Sequence, residues 1–85
     1  MKSFTTPDFW QAYAVLSPEI KEQARKAYQL WKENQSHPSL HFQKVGKNLW
    51  SALITGGYRA LALNKGDDYY WFWIGSHDDY DALLN

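Results

Sequence analysis

Four groups of side chains in this 85-residue sequence are suited to chemistry: Arg59, the histidines, Tyr80 and the carboxylates Asp78, Asp79 and Asp81. Arg59 follows Gly56-Gly57-Tyr58 and precedes Ala60-Leu61-Ala62-Leu63, which places it near the start of a strand among apolar neighbours. Alternation along that strand puts Arg59, Leu61 and Leu63 on one face and Tyr58, Ala60 and Ala62 on the other. A guanidinium so placed is either paired with a carboxylate or held ready for an anionic ligand. His77 lies at the junction of an apolar strand and a short terminal helix, where side chains converge at the end of a sheet. An imidazole there suits a helix-terminal hydrogen bond and acid/base work equally. Tyr80, in register with Leu83 and Leu84, reads first as a packing residue, and Asp78, Asp79 and Asp81 complement the positive end of a helix dipole. His37 and His41 straddle Pro38, and neither a His-x3-His pair nor an HExxH pattern occurs, so no metal site is expected. Lys44 and Lys47 read as solvated side chains, and no Gly-rich phosphate loop or Ser/His/Asp arrangement is present.

These residues need elements to hold them, and the chain signals those elements clearly. Thr6-Pro7-Asp8 is a helix start: a hydroxyl to cap free N–H groups, a proline tolerated at the first helical position, and an early carboxylate. Phe9, Tyr13 and Leu16 follow at helical spacing. Ser17-Pro18-Glu19 repeats the signal, so a second helix begins there and runs to about Asn34 with Ile20, Ala24, Ala27, Tyr28 and Trp31 on one side. Two helices joined this tightly form a helical hairpin. After the turn cluster 34–39 the period changes to alternation, and four strands fit, at about 41–45, 49–55, 58–63 and 69–74. The connections between them are short, which makes the neighbours antiparallel. The last strand, Tyr69-Tyr70-Trp71-Phe72-Trp73-Ile74, is apolar on both sides, so it belongs inside the sheet with the helix pair on one face and other cover on the second. Ser76-His77-Asp78-Asp79 resembles a capping box opening a short C-terminal helix, and Phe4-Thr5 suits a short edge strand. The expectation is an α+β fold: one domain over 1–85, a helical hairpin on a four-stranded antiparallel sheet, and a short C-terminal helix.

Composition bounds the partners. Five Trp, six Tyr and four Phe let a short chain build a core without covalent staples, and the absence of cysteine excludes disulfides and thiolate metal sites. Nine Lys and Arg balance nine Asp and Glu, but the positive charge gathers between Lys21 and Arg59 and the acid in the last nineteen residues. A local basic face fits that distribution better than a global field. With neither a signal-peptide core nor an apolar run of membrane length, the expectation is a soluble, cytoplasmic protein without membrane contact.

Several blocks in order along the chain resemble the RelE/ParE family of bacterial toxins from type II toxin-antitoxin systems. They are Thr6-Pro7-Asp8-Phe9-Trp10, 24–31, His37-Pro38-Ser39-Leu40-His41-Phe42, Trp50-Ser51, Gly57-Tyr58-Arg59-Ala60-Leu61 and 71–81. The resemblance implies a helical hairpin on an antiparallel sheet and neutralisation by an antitoxin protein. For ribosome-dependent members it implies metal-independent mRNA cleavage by attack of a ribose 2′-hydroxyl, with no cofactor. Carried over, it makes Arg59 the phosphate stabiliser, His77 and Tyr80 acid/base or orienting groups, and Lys44 and Lys47 contacts to RNA backbone. Other members poison DNA gyrase instead. Relatives commonly carry a second Arg in the strand after the Trp-Ser pair, where this chain has Leu53. Losing such a donor typically costs about 3 to 4 kcal/mol of transition-state stabilisation. Together with the neutral net charge, this keeps open a non-catalytic module whose aromatics bind a partner protein or a second copy.

Overall fold

A computed structural model describes residues 1–84. The chain runs β1 (Ser3–Thr5), α1 (Pro7–Ala14), α2 (Pro18–Glu33), a 3-10 turn (Pro38–Leu40), β2 (Gln43–Gly46), β3 (Leu49–Thr55), β4 (Tyr58–Lys65), β5 (Asp68–Ser76) and α3 (His77–Leu84). Both expected caps form. Thr6 is extended and accepts from the Phe9 N–H, and Ser17 does the same for Ile20, each ahead of a proline at the start of its helix. The Thr6 hydroxyl also donates to the Trp71 carbonyl at 3.1 Å, which ties the start of α1 to β5. α1 packs on β5 and α2 on β3. A 2.7 Å hydrogen bond from Arg25 Nη1 to the Tyr13 hydroxyl links the two helices.

The sheet has five strands in the order β1-β5-β4-β3-β2, and it is mixed, not purely antiparallel. The four expected strands pair as antiparallel neighbours, while β1 adds to the far side of β5 in parallel, with Ser3 opposite Tyr69 and Thr5 opposite Trp71. The Ser3 hydroxyl fixes this edge, accepting from Trp71 Nε1 at 3.1 Å and lying 2.8 Å from the Tyr28 hydroxyl. The first antiparallel strand starts at Gln43 instead of His41. Pro38–Leu40 closes a 3-10 turn, and His41 ends it in the left-handed region (φ 43°), so extended pairing begins only beyond it.

One irregularity decides the two faces. Leu61 pairs with Trp73 and Ala62 with Trp71, leaving Phe72 as the extra residue of a bulge. Regular alternation would put Trp71 and Trp73 on one face; the bulge sends them to opposite faces. Trp71 joins the core under α1 and α2 with Ala24, Trp31, Leu40, Ala52, Ala60 and Ile74. Trp31 is its centre, 1% exposed, with Phe42, Tyr69 and Trp71 edge-on at ring separations of 5.3–5.6 Å. Alanines at 24, 27, 52 and 60 leave a cavity of about 180 Å³ between the helices and the sheet, edged by Phe9 and Tyr13. Trp73 lies on the other face, which α3 partly covers through its contacts with β4 and β5.

Candidate active site

The α3 face begins with the pairing of β3, β4 and β5. Arg59 stands opposite Leu53 on one side and Gly75 on the other. Ser51, two residues before Leu53, points to the same face, because side chains repeat every second residue along a strand. The Arg59 side chain reaches this diagonal neighbour, and Nη1 donates to the Ser51 hydroxyl at 3.2 Å. Ser51 is completely buried.

α3 supplies the roof. Ser76 accepts from the Asp79 N–H at 3.2 Å, making the expected cap, and the His77 N–H donates to the Gly57 carbonyl at 2.8 Å, pinning the start of α3 to the β3–β4 turn. Tyr80 is the one residue of α3 that is buried among those described, and its ring lies 5.1 Å from the Arg59 guanidinium carbon. A cation over an aromatic face is stabilised by the ring quadrupole, so Tyr80 packs and holds charge at once. Trp73 lies beside it at a ring separation of 6.5 Å. The indole extends over Gly75, where a Cβ would fall 2.5 Å from Trp73 Cζ2, so only glycine leaves room for it.

Arg59 has no carboxylate partner among the described residues. Its neighbours are a neutral hydroxyl and a ring, and its Nε is buried without a hydrogen-bond acceptor. That donor is closed off from solvent, so an incoming oxyanion would meet the rest of the partly exposed guanidinium. His77 is half-exposed, 6.0 Å from Tyr80 between ring centres, with Nδ1 3.1 Å from Asp81 Oδ2. With Nδ1 engaged, Nε2 is the nitrogen left to exchange a proton. Asp78 and Asp79 occupy the first turn of α3, where they complement its dipole.

The structure thus gathers Arg59, His77 and Tyr80 at one end of the sheet and leaves the two lysines elsewhere. Lys44 pairs with Trp50, whose partner Ala62 faces the helices, so Lys44 belongs to the opposite face from Arg59. Lys47 lies in the β2–β3 turn, and the strand from Leu49 to Leu53 alone spans roughly 13 Å at ~3.3 Å per residue. His37 is a turn residue whose Nδ1 accepts from the Ser39 N–H at 3.2 Å. Among the described residues no cluster of three His, Cys, Asp or Glu could hold a metal ion, and no helix is long and apolar enough to cross a membrane. Ser51 is the site residue that sequence reasoning passed over. Its signal is a small polar residue inside the apolar run Trp50-Ser51-Ala52-Leu53, diagonal to the one strand arginine.

The helices and five-stranded mixed sheet match the fold of RelE-like toxins. A chain of the RelB–RelE antitoxin–toxin complex from Methanococcus jannaschii superposes with a TM-score of 0.76 at 12% identity, covering 96% of this chain and 99% of that one. The YoeB/ParE toxin from Agrobacterium tumefaciens gives 0.69 at 16% identity, covering 91% and 99%. The isolated RelE toxin of E. coli gives 0.64 at 12% identity, covering 95% and 93%. No curated protein matches by sequence. Residues 18–82 match the family model of the ParE-like toxin domain, and the chain belongs to that family, within the RelE/ParE toxins.

Proposed function

We propose that the protein is the toxin of a toxin–antitoxin pair and that it cuts mRNA on the ribosome. In this reading a ribose 2′-oxygen attacks the adjacent phosphorus and its proton passes to Nε2 of His77. The bond to the 5′-oxygen then breaks, leaving a 2′,3′-cyclic phosphate and a 5′-hydroxyl that takes its proton from solvent. Arg59 stabilises the charge that builds on the phosphoryl oxygens, and Tyr80 orients Arg59. Lys47 and Lys44 would meet RNA backbone away from the reacting phosphate. The observation that carries this reading is Arg59 itself, held by a neutral hydroxyl and an aromatic ring without a carboxylate partner, at the same end of the sheet as a half-exposed imidazole. An antitoxin segment is the expected protein partner, as in the M. jannaschii complex.

Leu53 favours a second reading. It stands directly opposite Arg59, where relatives commonly place a second cation, and an apolar residue there suits a surface that binds DNA gyrase or another protein without cleavage. Inducible expression in a bacterial host separates the two. Growth and pulse-labelled protein synthesis are scored for the parent, Arg59→Ala, His77→Ala and Leu53→Arg, alongside a gyrase supercoiling assay with purified protein. RNA cutting predicts a rapid halt in translation that Arg59→Ala relieves. A parent that leaves translation running while Leu53→Arg stops it would mean a retained scaffold with a weakened clamp. Inhibited supercoiling would transfer the assignment to gyrase.

A further inference from the structure

The hydroxyl of Ser51 is fully buried in a run of apolar residues, and an alanine would fill that place without it. A buried hydroxyl destabilises a fold unless it is hydrogen-bonded, and the side-chain partner of this one is Arg59 Nη1. We infer that Ser51 is a positioning residue: it fixes the guanidinium of Arg59 against the Tyr80 ring so that Nη2, which Ser51 leaves unbonded, is held ready for an anionic ligand. The inference rests on the reading of Arg59 as an anion-binding group.

The geometry supports this from three sides. Arg59 is anchored by its backbone in β4, drawn across β3 through Nη1, and covered from α3 by Tyr80. A long flexible side chain held at three points loses its torsional freedom before the ligand arrives, which is the condition for preorganised charge stabilisation. Bonding through Nη1 leaves Nη2 without a side-chain partner, and its N–H groups, held in a fixed plane, can donate to an oxygen of a phosphate.

Nuclear magnetic resonance of the arginine side chains in 15N-labelled protein tests the claim directly. The parent should show resolved Arg59 Nε and Nη signals with slow rotation of the guanidinium. Ser51→Ala should average the Nη signals, and Ser51→Thr, which keeps the hydroxyl on a strand-compatible side chain, should restore them. Leu61→Val is the packing control, since Leu61 is buried directly opposite Ser51. It should lower the melting temperature while leaving the Arg59 signals resolved. On ribosome-bound mRNA, Ser51→Ala should reduce kcat about tenfold or more with KM unchanged, as expected for a lost hydrogen bond to a charged group, and Ser51→Thr should recover most of it. Arg59 signals that stay resolved in Ser51→Ala, or that blur equally in Leu61→Val, would overturn the inference. If the parent cuts no RNA, the RNA-cutting reading falls, and the guanidinium measurement alone decides the role of Ser51.

Discussion

The two faces of the sheet are built on opposite plans. Under α1 and α2 the interior is apolar and aromatic, centred on a tryptophan with three rings set edge-on around it. Under α3 an eight-residue helix with one buried side chain covers an arginine, a buried serine and an indole. The first face carries the burial that stabilises a small domain. The second keeps a cation against a neutral hydroxyl and an aromatic ring without a carboxylate partner, an arrangement that suits an anionic ligand. One chain separates these demands because a single extra residue, Phe72, sends Trp71 to the first face and Trp73 to the second.

Substitutions should respect that division. Trp31→Ala removes the centre of the aromatic core and should cost about 3–5 kcal/mol in urea denaturation, enough to unfold much of the population. On the other face, Gly75→Ala drives a methyl into the Trp73 ring and should cost roughly 1–3 kcal/mol by the same measurement, with tryptophan fluorescence shifting as the indole is displaced. Thr6→Ala removes the cap that also ties α1 to β5, and should lower stability by about 1 kcal/mol without altering any activity that depends on Arg59. Arg59→Gln removes a partly buried charge without a carboxylate partner and keeps an amide that can meet the Ser51 hydroxyl, so its stability should stay within about 1 kcal/mol of the parent while any RNA cleavage is lost. An Arg59 variant as unstable as the Trp31 one would break the division between the faces.

The smallest expected effect concerns pH. Burial, with Asp67 nearby, raises the Tyr69 hydroxyl above its ordinary value, because both disfavour the phenolate. A folded pKa raised above the unfolded one contributes stability that is fully present below about pH 10 and is lost as pH rises through the folded value. Alkaline melting of the parent should therefore begin above pH 10, and Tyr69→Phe should flatten that limb.

Much of this was legible in the sequence where the signal is local. Thr6-Pro7 and Ser17-Pro18 announce the two helices because capping needs only a few adjacent residues, and Ser76 does the same for α3. The four antiparallel strands follow from alternation and short turns. The fifth strand was legible only as a short edge element, since three residues carry no period and the parallel partner lies far along the chain. The Phe72 bulge was hidden for a related reason: in a run apolar at every position, an inserted residue leaves no break in the pattern. At the site, Arg59, His77 and Tyr80 come together because a hairpin turn and a strand end lie at the same edge, which their positions after Gly57 and Ile74 foreshadow. The separation of Lys44 from Arg59 depends on which face each residue takes, and the tether to Ser51 on a diagonal cross-strand contact; both require the register.

The parallel pairing of β1 with β5 has a consequence for when the protein can exist at all. Ser3 must wait for Tyr69, 66 residues later, before the edge of the sheet closes. At translation rates of ~5–20 residues per second that delay is roughly 3–13 s. During it, α1 and α2 have emerged without the β5 and β3 surfaces on which they pack. Closing a loop between residues this far apart is also a slow, late step in folding. Until β5 is made, the surfaces of α1 and α2 that will pack on the sheet stay uncovered, an interval in which a partner already present can reach them first.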